Sequence, residues 1–186
     1  MKILFTGFEP FDGGTSNPSY ACLKELPPTA GRAELVTMEL PVSFRRAPAL
    51  LLERMEAEQP DAVICLGLAA NRKKISLEKV GLNYAYARIP DHDGVQPRDV
   101  PLDPSGPAAC FATLPVWVLA EELNRAEIPA EVSLSAGGYV CNCLLYHLLR
   151  AAGKIPAGFI HVPPTEAMPL AMMTRAMKLI ATRLGS

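Results

Sequence analysis

Ala62-Val63-Ile64-Cys65-Leu66, closed by Gly67, is the stretch that decides the fold. Its five apolar residues are too few for a buried helix, and they show no polar alternation. Such a run reads as a strand buried on both faces, the kind found in parallel sheets covered by helices. Working outward, Lys2–Thr6, Glu34–Leu40, Glu131–Ser135 and Gly158–Val162 read as further strands. Between them lie helical patterns at Ser43–Gln59 (with Pro48 tolerated near its start), Pro115–Ala126, Val140–Ala152 and Glu166–Arg183. Asn17-Pro18 has the form of an N-cap followed by proline in the first turn. This alternation predicts an α/β domain with a mostly parallel central sheet, whose sites form at the carboxyl ends of strands.

Composition sets the outer limits. The chain has 186 residues, the size of one compact domain spanning 1–186, and is 49 % hydrophobic, which excludes generic disorder. Its net charge is −1, so it carries no electrostatic footprint for nucleic acid or an anionic membrane. The longest uncharged run, Val132 to Leu149, contains serines, glycines, an asparagine and a histidine, and does not read as a membrane span. The five cysteines (Cys22, Cys65, Cys110, Cys141, Cys143) are odd in number and scattered, which argues for free thiols in a reducing cytoplasm. The N-terminal apolar stretch is too short for a signal peptide and reads as a first buried strand.

Several chemistries drop out for lack of their motifs. No Gly-x-Gly-x-x-Gly, no phosphate loop and no Gly-x-Ser-x-Gly elbow is present, so nucleotide cofactors and the usual serine hydrolases lose ground. Asp91-His92-Asp93-Gly94 invites a calcium reading, but Leu102 stands where the closing glutamate belongs. Cys143 and His147 share a helix face, yet two ligands without a second pair do not make a zinc site. Both are read as structural, and neither metal nor cofactor is expected. Pro90 to Pro107, with five prolines, breaks the strand–helix alternation. It reads as a lid or wall of a site, or alternatively as a surface excursion.

The remaining chemistry gathers on three residues. His161 ends the buried-strand pattern Gly158–Val162, so its side chain falls at the carboxyl edge of the sheet. Cys141 follows the strand at 131–135 through Ala136-Gly137-Gly138-Tyr139-Val140, glycines that allow a tight turn into a helix. The partial positive charge at that helix start favours a thiolate, so a lowered thiol pKa is expected at Cys141. Two neighbouring strands would then bring Cys141 and His161 together. A Cys–His pair needs a third group to fix the imidazole, and Glu78, set among apolar residues in Ile75–Val80, is the natural carboxylate. Read singly, each also has a plainer meaning: core filler, strand-end polar group and surface charge.

Longer motifs go further. Gly7-Phe8-Glu9-Pro10-Phe11 and Asn17-Pro18-Ser19 open a collinear series. It runs through Ile75–Asn83, Ala87-Arg88-Ile89-Pro90-Asp91, Gly106–Ala109, Val140-Cys141-Asn142 and Gly158–Pro163. In these motifs the chain resembles the pyroglutamyl peptidase I (pyrrolidone-carboxylate peptidase) family. The resemblance implies a cytosolic, metal-free cysteine peptidase with an α/β/α sandwich fold. Such enzymes are often tetrameric and remove N-terminal pyroglutamate from peptides. By motif it puts the nucleophile on Cys141, the histidine on His161 and the carboxylate on Glu78. It also implies a lactam pocket with Phe8 and Phe11, Asn17 nearby, and Arg88 close to the reacting carbonyl. The sequence departs from the family pattern at Leu68, in the turn Ala70-Asn71-Arg72 (Gly-Gly-Arg in the family), and at Lys79, Gly138 and 164–166. Two other functions stay open: a hydrolase of another small cyclic amide, and a binding module on the same fold.

Overall fold

Strand-forming apolar runs build the centre of the molecule, and the helical segments lie against them. The computed structural model describes residues 1–186. In chain order its elements are β1 (Lys2–Phe8), α1 (Pro18–Lys24), β2 (Thr29–Ala30), β3 (Ala33–Leu40), α2 (Arg46–Glu58), β4 (Ala62–Leu68) and β5 (Ile75–Glu78). Then follow β6 (Val80–Leu82), β7 (Ala109–Phe111), α3 (Val116–Arg125), β8 (Ala130–Ser133), α4 (Val140–Ala151), β9 (Ala157–Val162) and α5 (Leu170–Leu184). Seven strands form one sheet in the order β2-β3-β1-β4-β9-β5-β8, and β6 pairs with β7 as a separate hairpin.

β3, β1, β4 and β9 run parallel. β5 and β8 are parallel to each other but run against β9, and the two-residue β2 folds back on β3. The sheet is mostly parallel, as the strand–helix alternation predicts. Alternate side chains leave a strand on opposite faces. Ile3, Phe5, Ile64, Leu66, Leu77 and Ile160 face a core closed by α1, α3 and α5. Leu4, Val63, Cys65 and Phe159 face a second core closed by α2 and α4. The result is the three-layered α/β/α sandwich.

Several local readings need correction. Gly67 does not end β4, which runs on to Leu68. The residue is glycine because a Cβ there would lie 2.8 Å from the sulfur of Cys141 and 2.8 Å from the Phe159 ring. The strands leading to Cys141 and His161 are not neighbours, because β5 lies between β8 and β9. β5 is a four-residue strand between lysines, too short for its periodicity to stand out in sequence. The second helix starts at Arg46 rather than Ser43, whose hydroxyl accepts from the amides of Arg45 and Arg46. The last starts at Leu170 rather than Glu166, since Pro169 biases the preceding backbone away from helix. Asn17 does cap α1, accepting from the Ser19 amide, with Pro18 in the first turn.

Candidate active site

Two side chains from neighbouring strands, Glu78 and His161, meet on the α4 face of the sheet. Glu78 closes β5 and His161 stands next to last in β9, and antiparallel pairing sets Glu78 opposite Phe159, two residues from His161. His161 Nδ1 lies 2.7 Å from Glu78 Oε1, with both residues buried. Glu78 Oε1 also accepts from Arg72 Nη1 at 2.6 Å, whereas Glu78 Oε2 is buried without a partner. With Nδ1 engaged by the carboxylate, the imidazole keeps Nε2 for other chemistry.

Cys141 arrives from the other side. β8, the edge strand of the sheet, ends at Ser133, which pairs with Glu78. The loop 134–139 then returns the chain to the carboxyl end of β4, helped by Gly137, whose φ of +82° suits only glycine without strain. Cys141 is the second residue of α4, whose start has no side-chain cap. Its first amides find no backbone acceptor, which leaves them free to bind developing negative charge. The Cys141 sulfur packs against Gly67, the register partner of His161. Cys141 and His161 are thus brought to adjacent positions across β4 and β9, though no hydrogen bond joins them here.

The expected lowering of the thiol pKa is not met. Burial pushes Cys141 up to about 12, and the Glu78 carboxylate adds to the rise; its own backbone N–H and Arg72 pull the other way. The residue as a whole is half-buried, but the sulfur points inward. Loss of water therefore outweighs the helix start, and the free protein carries a neutral thiol. Cys22, Cys65 and Cys143 are likewise pushed by burial to about 12.

A cavity of about 410 Å³ opens above the sulfur, lined by Phe8, Phe11, Asn17, Val42, Leu68, Tyr86, Arg88, Ile89, Tyr139 and Cys141 among others. All four residues that the resemblance assigns to substrate line it. They differ in freedom. Phe8 is 3 % exposed and belongs to the α2/α4 core, whereas Phe11 is half-buried on the loop after β1. The Asn17 side chain is committed, donating to the Glu9 carbonyl and accepting from Ser19. Arg88 is exposed, and its guanidinium makes no ion pair. Buried Asn142, on α4, bonds to Leu82 and Tyr84 and so anchors that helix to β6.

The proline-rich segment buttresses this cavity rather than lining it. His92 bonds to Glu9 at 2.6 Å and packs at a tilt of 46° against Phe11, 5.1 Å between ring centroids. Asp91 accepts from the Phe44 amide, Asp93 pairs with Arg46, and Tyr139 donates to the Pro90 carbonyl. The Asp-His-Asp-Gly stretch therefore spends its side chains on protein contacts.

Sequence reasoning missed Arg72, Asn142 and His92. Only proximity in the fold reveals them: Asn142 and His92 act on partners far along the chain, and Arg72, six residues from Glu78, also reaches Ser133 and Ser135.

A sandwich fold with a thiol at an uncapped helix start, beside a buried imidazole–carboxylate pair, defines the cysteine-peptidase class. A family model described as pyroglutamyl peptidase matches residues 1–177. Pyrrolidone-carboxylate peptidase 1 of Caldanaerobacter subterraneus subsp. tengcongensis is 45 % identical over 167 residues, covering 88 % of this chain and 82 % of that protein. The pyrrolidone-carboxylate peptidase of Enterococcus faecalis is 42 % identical, covering 88 % of this chain and 78 % of its own. The crystal structure of Bacillus amyloliquefaciens pyroglutamyl peptidase I superimposes with a TM-score of 0.93 at 39 % identity, covering 99 % of this chain and 96 % of that one. The chain belongs to the pyroglutamyl peptidase family.

Proposed function

We infer that the protein is a cysteine exopeptidase that removes N-terminal pyroglutamate from peptides, with Cys141, His161 and Glu78 as its reacting group. The observation that carries this is the buried His161–Glu78 pair below the half-buried Cys141, at the floor of a mainly apolar cavity. Pyroglutamate presents a neutral lactam and no free amine, so aromatic walls with a few hydrogen-bonding groups suit it. Phe8 and Phe11 would hold the ring, with Asn17 fixing the wall between them.

The neutral thiol dictates the order of events. As the Cys141 sulfur attacks the pyroglutamyl carbonyl carbon, its proton passes to His161 Nε2, and the carbonyl oxygen takes the negative charge. The free amides at the start of α4 hold that oxyanion, with Arg88 nearby. The C–N bond then breaks and His161 returns the proton to the leaving amine. Water, deprotonated by His161, hydrolyses the thioester, releasing pyroglutamate and restoring the thiol. Glu78 orients the imidazole and stabilises its cation throughout.

We further propose a single functional domain over residues 1–186, a cytoplasmic location and homo-oligomeric, tetrameric assembly. Five unpaired thiols support the location. No helix is long and apolar enough to cross a membrane. Phe111, Trp117 and Val118, exposed at 66 %, 62 % and 45 %, are large apolar groups that a second copy would cover. Light scattering after gel filtration tests the assembly.

A pyroglutamyl fluorogenic amide assayed beside a panel of other blocked aminoacyl amides tests the activity. Hydrolysis confined to the pyroglutamyl compound supports the reading; preference for another cyclic amide, or no turnover, refutes it.

A further inference from the structure

Arg72 joins the two halves of the site. It stands in the turn between β4 and β5, with its side chain 26 % exposed. Nη1 donates to Glu78 Oε1 at 2.6 Å. Nη2 donates to the Ser135 carbonyl at 3.0 Å and to Ser133 Oγ at 3.3 Å, both at the start of the segment that leads to Cys141. One rigid guanidinium therefore spans the carboxylate end and the nucleophile end of the constellation, a task its planar fork suits and a lysine ammonium does not.

We propose that Arg72 is a positioning residue. It holds the buried Glu78 carboxylate aimed at His161, and it fixes the loop that delivers Cys141. This rests on the Cys141–His161–Glu78 reading given above. A carboxylate stripped of water needs a cation or several donors, and Glu78 Oε2 has none. The charges near Glu78 leave Arg72 alone in this duty. His161 and Cys141 are the other titratable groups facing it. Lys79, next in sequence, turns its ammonium to the Ala112 carbonyl and the Phe111 ring. Glu131 on β8 is turned to Ser76 and Lys74.

Charge counting gives the consequence. With Arg72 present, the four groups sum to zero both before and after the thiol proton moves to His161. Without it, one uncompensated negative charge faces the forming thiolate. Arg72 accordingly opposes the upward push on the Cys141 thiol.

Two variants and two readouts test this. Arg72→Gln should lower kcat for a pyroglutamyl amide about 10- to 100-fold, the scale of one charge-assisted hydrogen bond, while KM stays within about twofold. Its Cys141 should also require higher pH for alkylation by iodoacetamide, followed by peptide mapping. Arg72→Lys should bring the alkylation profile back toward wild type, because the charge returns. Its kcat should recover only in part, because an ammonium cannot span Glu78 and residues 133–135. An Arg72→Gln protein with wild-type kcat and alkylation profile overturns the proposal, as does an Arg72→Lys protein no better than Arg72→Gln. Should Arg72→Gln fail to fold, Arg72→Lys decides: reduced kcat at unchanged Tm supports the role, and wild-type kcat overturns it. If the wild-type protein hydrolyses no pyroglutamyl amide, the functional reading falls, and the alkylation profiles still decide the part played by Arg72.

Discussion

The molecule contains two histidine–carboxylate pairs of nearly the same geometry. His161 meets Glu78 at 2.7 Å and His92 meets Glu9 at 2.6 Å, each through Nδ1 and each across 83 residues of chain. Their surroundings differ. The inner pair is 6 % and 0 % exposed at its two side chains, the outer pair 34 % at both. The inner carboxylate is held by Arg72, the outer one by the backbone amide of Val42. Neither contact distance nor separation in sequence distinguishes them, so burial and the neighbouring groups must set their roles. In a dry site the carboxylate fixes the imidazole and stabilises its cation. At the surface, water screens the same contact, which serves to clasp two loops and prop Phe11.

The contrast can be broken by substitution. His161→Ala and Cys141→Ala should each lower kcat by about 10⁴-fold or more with the fold intact by circular dichroism. The double variant should be little worse than either, because the groups act as a unit. Near-wild-type turnover in folded Cys141→Ala would sink the assignment. Glu78→Gln comes next, at about 10³-fold in kcat, since it removes the charge that stabilises the imidazolium. Glu9→Gln is its counterpart on the outer pair and should leave kcat within about twofold. Equal losses in these two variants would show that burial does not separate the pairs.

Smaller effects sharpen the outer half. Phe11→Ala should raise KM about tenfold with little change in Tm, as removal of one aromatic wall predicts. His92→Ala should do the same more weakly, because it removes only the prop behind that ring. Phe8→Ala should differ, since Phe8 lines the cavity but also sits in a packed core, where the change costs ~3–5 kcal/mol and should appear first as lost stability. The smallest effect concerns Asp93 beside the clasp, held down at about 2 by the Arg46 guanidinium and the Ser43 hydroxyl. Its carboxyl is ionised more readily in the folded state, so its contribution is present above the unfolded value of ~3.9 and fades as pH falls toward 2. The Tm difference between wild type and Asp93→Asn should be visible at pH 5 and vanish near pH 2.

Much of this was legible before folding, and the exceptions share a cause. The run Ala62–Leu66 announces a buried strand because every position in it must avoid water. His161 is legible because a polar ring ends such a run, and Cys141 because two glycines precede a helix pattern. The direction of β5 is not legible, since apolar periodicity has no polarity along the chain. Arg72 is invisible for a related reason: a guanidinium in a turn gives no local sign of the carboxylate it will reach. The thiol pKa was misjudged because the helix-start argument counts a local dipole. The desolvation opposing it comes from Gly67, Phe159 and the second core, brought there only by the sheet.

The place of β9 in that sheet has a kinetic consequence. It is the last strand to appear in the chain, yet it lies between β4 and β5, both formed from residues far upstream. Until β9 slots in, β4 presents an unpaired apolar edge, and β5 with β8 has no link to the rest of the sheet. Pairings of such long range close slowly and leave partly assembled states open to misassociation. Because His161 travels on β9, the strand that seals the sheet also delivers the imidazole to Glu78. A nascent or misfolded chain therefore holds the Cys141 thiol without the His161 imidazole beside it, and the two come together in the same step as the completed architecture.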